Sequence, residues 1–248
     1  YYPDSMLQGL VKRSVRFITR YNLHHASHLI TVTEELKDYL LKIGGVQVTT
    51  IPNGVDTKLL TPLSKDQAKS GLGLHGTVLG YIGSLEYWVD LETVIEALPN
   101  LDVTLLVVGP GLFTDYGAKM KALAAKKGVT DKIIFTGSVP YEDLGRYISA
   151  MDIGLNPLKM MKKNEYAAGG KVFNYLSCDR PVLSSRMISL ERLLGNELYY
   201  YDNVTSFTTQ VEAILQDKPE EGRYRKIAER YDWRILAEQY EKVLLSVL

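Results

Sequence analysis

Sulfur chemistry is nearly missing from this chain of 248 residues, which holds one cysteine, Cys178. A disulfide framework within the chain is thereby excluded, and a reducing compartment fits. Cys178 stands beside Asp179 with no histidine near it in sequence, so it reads as a small packing residue and not as a thiol nucleophile. Net charge is missing too. Lys plus Arg and Asp plus Glu both number 29, whereas a general nucleic-acid binder carries a basic excess. No apolar run approaches the ~20 residues that span a bilayer. Residues 1–4, Y-Y-P-D, lack the basic-then-apolar order of a signal peptide, and their abrupt entry into a helix without Met does not read as a natural start. What remains is an ordinary globular composition, 46% hydrophobic and 23% charged, enough for one large domain or two modest ones.

What is there is an alternation of helix and strand. Leu7, Leu10, Val11, Ser14, Ile18 and Tyr21 share one helical face, with Lys12, Arg13, Arg16 and Arg20 away from it. Such a helix packs on a sheet or lies on anionic lipid, and the first is the plainer expectation. His24 and His28 have i, i+4 spacing, but no acid or cysteine follows at ligand spacing, so helix-end residues are expected there rather than a metal site. Residues 29–33 read as a strand, Thr33 as the cap of a helix from Glu34, Gly44-Gly45 as its stop, and residues 46–51 as a second strand. Residues 57–76 are polar and read as a connector between domains. A longer series follows, with strands at 78–82, 103–108, 133–136, 153–156, 182–184 and 197–201. Helices are expected at 91–98, 116–127, 141–150 and 171–177, and from Phe207 and Trp233. Glycines stand where strands end, the pattern of a doubly wound α/β sheet that binds ligands at the carboxyl ends of its strands.

The chemistry concentrates at residues 170–185, G-K-V-F-N-Y-L-S-C-D-R-P-V-L-S-S. Gly169 and Gly170 let backbone approach a ligand closely. Lys171 at a helix start opposes the helix dipole when the site is empty, and a bound diphosphate would reverse that sign. Asn174 lies three residues on, on the same side, and can both donate to and accept from sugar hydroxyls. Gly83-Ser84 could face a phosphate from a strand end, although glycine there often only turns the chain. Gly109-Pro110-Gly111 reads as structural. Gly137-Ser138-Val139-Pro140-Tyr141 either pairs its backbone with a base edge or is a plain turn with Tyr141 outward. Glu165 shares a loop with Lys159, Lys162 and Lys163, which either draw in an anion or are simply solvated. Trp88 and Asp90 precede a helix, Asp90 reading as its N-cap, and both could also face the cleft.

Taken in order, L-I-T-V-T-E-E-L (29–36), I-P-N-G-V-D (51–56), L-G-Y-I-G-S (79–84), L-L-V-V-G-P-G (105–111), I-I-F-T-G-S-V-P-Y-E-D-L (133–144), M-D-I-G-L-N-P (151–157), the stretch 171–185 and Y-D-W-R-I-L-A-E-Q-Y (231–240) resemble one family. It is that of the GT-B fold glycosyltransferases, retaining family 4, glycosyl transferases group 1. The resemblance implies an α/β architecture of two Rossmann-like domains. Residues 1–52 would be the end of the N-terminal acceptor domain, 53–231 the nucleotide-sugar domain, and 232–248 a helix crossing back. It further implies metal-independent glycosyl transfer with retention from a UDP- or GDP-linked sugar to a sugar or lipid-linked acceptor, with no resident cofactor, in the cytoplasm, with membrane contact open through the basic helix.

By that resemblance Gly83, Ser84, Gly137, Val139, Tyr141, Glu165, Gly169, Gly170, Lys171, Val172 and Asn174 hold the donor, and Lys171 stabilises the leaving diphosphate as the expected catalytic residue. Three positions depart from the family pattern. Asn174 stands where a glutamate is usual, Tyr166 with Glu165 beside it stands at the other glutamate position, and S-L-E-Y-W-V-D replaces the usual Arg and Lys. Two alternatives follow, a donor-binding subunit without catalysis and a nucleotide-sugar epimerase on the same fold.

Overall fold

The computed structural model describes residues 6–44, 47–111, 114–162, 164–167 and 169–248, without the side chains of Met6, Leu7, Gln8 and Leu10. The chain groups into two units, residues 1–52 with 237–248, and residues 53–236.

In the first unit, α1 (Met6–His25) leads into β1 (Leu29–Thr31), which pairs in parallel with β2 (Val48–Thr50) across α2 (Glu34–Lys42). Thr33 caps α2, its hydroxyl accepting from the Leu36 N–H at 3.3 Å. Gly44 follows the helix end, while Gly45 and Val46 lie outside the described residues. Among the described residues, the face of α1 expected to pack on a sheet is largely open, although Leu23 near the helix end is buried. Val11, Ile18 and Tyr21 are each more than half exposed, as are Val15 and Phe17. The paired histidines are engaged apart from one another. His28 Nε2 meets Thr49 Oγ1 at 2.8 Å, and the ring of His24 abuts Gly44. Among the described residues no three His, Cys, Asp or Glu gather as metal ligands.

The second unit is built on six parallel strands. They are β3 (Val78–Ile82), β4 (Thr104–Val108), β5 (Ile133–Gly137), β6 (Ile153–Asn156), β7 (Val182–Ser185) and β8 (Tyr199–Tyr201), in the order β5-β4-β3-β6-β7-β8. The order reverses between β3 and β6, the switch point of a doubly wound sheet. Side-chain alternation divides β3 and β4 between two cores. Val78, Ile82, Leu106 and Val108 face a cluster with Val172, Phe173, Leu176 and Tyr224. Leu79, Tyr81, Leu105 and Val107 face the other, with Ile95, Met120, Phe207 and Val211. Burial on both faces is why these strands read as unbroken apolar runs.

Helices α4 (Leu91–Ala97), α5 (Tyr116–Lys127) and α9 (Val204–Gln216) cover the second cluster, and α6 (Leu144–Ser149), α7 (Gly170–Ser177) and α8 (Ile188–Leu194) cover the first. The stretch 57–76 is no connector. It holds α3 (Lys65–Gly71), capped by Ser64, and puts Leu60, Ala68 and Leu74 in the core. The short α10 (Arg223–Glu229) and α8 went unread in the sequence, and α11 (Trp233–Leu245) ends the chain.

Candidate functional site

Three chain reversals meet at the carboxyl ends of β3, β4 and β5. Gly83 leaves β3 with φ +135°, and its N–H donates to the Val108 carbonyl at 2.9 Å. A Cβ on Gly109 would lie 2.2 Å from the Gly83 carbonyl oxygen, so these two backbones touch only because a side chain is missing. Gly109 in turn donates to the Gly137 carbonyl at 2.9 Å. The reversals open a cleft of about 330 Å³ whose far wall is the first two turns of α7.

The local sequence of α7 explains how that wall is set. Gly169 precedes the helix at φ +54°, and a Cβ there would crowd Leu190 and Val172 at 3.2 Å. Val172, Phe173, Tyr175 and Leu176 drive one face into the core. Lys171 and Asn174 are left on the opposite side, one turn apart, both lining the cleft. Tyr175 locks the helix to the sheet. Its hydroxyl accepts from the Ile82 N–H at 2.8 Å and donates to the Leu155 carbonyl at 3.1 Å.

Lys171 is the electrostatic centre. Its side chain is partly exposed, but its amine is pressed against Gly83 and the ring of Tyr81, with Nζ 4.2 Å from the ring centroid. Burial pushes the amine down to about 7, and among the described residues no neighbouring carboxylate offsets that push. The buried Glu86 points its carboxylate elsewhere, accepting from Thr114 Oγ1 at 3.0 Å. An anion entering the cleft would meet a cation that lacks its counter-charge.

Of the residues singled out in the sequence, the structure brings Gly83, Ser84, Val139, Lys171 and Asn174 together around the cleft. Gly137 turns the chain at φ +73° behind it, and Gly169 and Gly170 shape the helix start without lining it. Val172 faces away. Its side chain is fully buried and its N–H donates to the Gly169 carbonyl at 2.8 Å, so neither can meet a ligand. Tyr141 is 46% exposed in a short turn, and Glu165 is exposed in its loop, both outside the lining. Lys159 is taken up by Glu92 at 2.6 Å, Lys162 is exposed, and Lys163 and Ala168 lie outside the described residues. Asp90 serves as the cap of α4, accepting from the Thr93 N–H at 3.3 Å. Cys178 is buried and its thiol is pushed up to about 12 by that burial, in keeping with a packing role. Gly109 and Pro110, read as structural, line the cleft after all, as does Leu144. Their signal was available, since β4 is a neighbour of β3 in any sheet of this winding.

The family model described as Glycosyl transferases group 1 matches residues 76–217, more than half of the chain. A relative named for teichuronic acid biosynthesis, the glycosyltransferase TuaH of Bacillus subtilis strain 168, is 29% identical over 213 residues, covering 83% of this chain and 52% of that protein. The 2-deoxystreptamine glucosyltransferase of Streptomyces kanamyceticus is 28% identical over 170 residues, covering 63% and 43%. Among solved structures, Anabaena HepE in complex with UDP and glucose superposes with a TM-score of 0.81 at 18% identity, over 94% of this chain and 67% of that one. The likeness of structure shows the GT-B fold. The chain spans about half the length of the curated relatives it matches.

Proposed function

Because the chain belongs to the group 1 glycosyl transferases, we propose that it carries the donor half of an enzyme moving a sugar from a nucleoside-diphosphate sugar to an acceptor. One observation carries the reading: the Lys171 amine, buried without a carboxylate, at the mouth of a cleft where three strands end and a helix begins. Departure of a nucleoside diphosphate develops negative charge on phosphate oxygens. A fixed ammonium and the N-terminus of α7 stabilise that charge in a site of low dielectric. Asn174, one turn further, offers an amide to sugar hydroxyls. Solved complexes of HepE with UDP-glucose support a UDP-linked donor, and GDP is the second choice. We assign the reaction as retaining and metal-independent, with a sugar or lipid-linked acceptor. Contact of α1 with anionic lipid is supported by the exposed Val15, Phe17 and Ile18 beside Arg13, Arg16 and Arg20. No helix among the described residues is long and apolar enough to cross a membrane.

A second reading is favoured by Asn174 itself. A neutral amide stands where the family pattern has a carboxylate, which suits a subunit that binds donor without turning it over. Incubating the full-length protein with a nucleotide sugar separates the two, since only the first releases diphosphate and glycosylates an acceptor. Calorimetry of this chain against UDP-, GDP- and ADP-sugars tests the site directly. Lys171→Ala weakens diphosphate binding by about 1.5–3 kcal/mol, the worth of a charge-assisted contact. Unchanged affinity in that variant ends the assignment.

A further inference from the structure

We infer that Tyr81 is a positioning residue for the ligand-binding amine: its ring face holds the Lys171 ammonium at the cleft, and its hydroxyl ties the ring to the backbone of Ser84. The inference deepens the diphosphate-site reading and rests on it. Tyr81 belongs to β3 and is 1% exposed, so its ring has one place to be. Its hydroxyl donates to the Ser84 carbonyl at 2.8 Å, which fixes the ring against the loop that lines the cleft. Lys171 Nζ stands 4.2 Å from the centre of that ring. A Cβ on Gly83 would come within 3.1 Å of both Lys171 Nζ and the Tyr81 hydroxyl. The amine and the phenol therefore share a space that any other residue at position 83 would close.

The choice of partner has a chemical consequence. A buried ammonium with no partner either sheds its proton or swings to water. A carboxylate would hold it in place but would neutralise the charge that a diphosphate needs. An aromatic face attracts the cation through its quadrupole and leaves the charge unspent. Tyr81 thus aims Lys171 while the amine remains available to phosphate. Burial lowers the amine toward neutrality, and the ring works against that by favouring the charged form.

The test is a double-mutant cycle read by calorimetry with UDP and with GDP. Tyr81→Leu weakens nucleotide binding on the order of tenfold in the wild-type background and has almost no effect when Lys171→Ala is already present. Tyr81→Phe, which keeps the ring face, recovers most of the loss. A trifluorinated phenylalanine placed at position 81 keeps the shape but withdraws ring electron density, and it binds more weakly than Tyr81→Phe. That pair decides the matter even if Tyr81→Leu fails to fold. An equal loss in both Lys171 backgrounds, or a fluorinated ring as good as Tyr81→Phe, overturns the inference and leaves the site standing. Absence of nucleotide binding, or binding indifferent to Lys171→Ala, overturns the site reading and this inference with it.

Discussion

The two ends of α7, a helix of eight residues, are built on opposite terms. At the start, the amine of the partly exposed Lys171 is pressed against Gly83 and the face of Tyr81, on a helix terminus whose dipole repels it. At the finish, Asp179 takes φ +57° and is saturated. Its carboxylate accepts from the N–H groups of Gly222 at 2.8 Å, Tyr224 at 3.0 Å and Arg225 at 3.2 Å, so it caps α10 from a distance in sequence. The Arg225 guanidinium donates to the carbonyls of Ser177 at 2.8 Å and Thr57 at 2.9 Å. Both ends carry a charge, but only one has its partners inside the protein. An unmet charge on a well-anchored helix marks the end that waits for a ligand, and a fully met charge marks the end that holds the fold.

The largest expected effect is at the saturated end. Asp179→Ala removes three charge-assisted contacts and leaves a β-carbon at positive φ, and it should cost about 2–4 kcal/mol of stability. Asp179→Gly should cost about 1 kcal/mol less, because glycine takes that φ freely. Denaturant melts of the two variants check this. The nucleotide affinity of whatever remains folded should stay near that of the wild type. A loss of affinity without a loss of stability would mean that the two ends are not distinct.

The asymmetry was only half legible in the sequence. Lys171 and Asn174 were readable because i, i+3 spacing puts them on one face, and the apolar residues between them name the other. The same periodicity, applied strictly, would have removed Val172 from the site. The strands were readable because burial on both faces leaves apolar runs ended by glycine. Three helices were not. The α3 stretch is polar, with Ala68 as its buried residue, and its signal was Ser64 with Gln67 at capping-box spacing. The helix α10 is short and takes its cap from Asp179, 44 positions before Arg223, which no local pattern displays. Tyr81 looked like any core aromatic in a strand, since the use of a ring face is a property of what packs over it.

The next effect in size tests the unmet charge through pH. Burial holds the free Lys171 amine at about 7, and phosphate oxygens will hold the ammonium well above that in the complex. Below about pH 7 the amine is already charged and gains nothing further. Above it, binding must take up a proton, and affinity falls by as much as about tenfold per pH unit until the amine of the complex itself titrates. Calorimetry in two buffers of different ionisation heat reads the proton uptake directly. An affinity that stays level from about pH 7 to pH 9 would contradict the picture.

The smallest effect concerns the empty protein. An unfolded lysine titrates near ~10.4, and the folded Lys171 near about 7, so between those values the unfolded chain binds more protons. Stability should therefore rise as pH goes up through this window, and below it the folded state carries the full desolvation cost of the ammonium. Lys171→Met keeps much of the stem volume and removes the charge. It should stabilise the unliganded fold at neutral pH by the desolvation it relieves less the ring contact it gives up, with the gain shrinking toward pH ~10 as the wild type loses its proton. Urea melts at both pH values measure it. A ligand-binding residue opposed by its own fold gives this signature, more stable and less able to bind when removed, whereas a residue like Asp179 gives the reverse. Should Lys171→Met prove less stable than the wild type, its amine would be holding the structure together, and the start of α7 would be no different in kind from its finish.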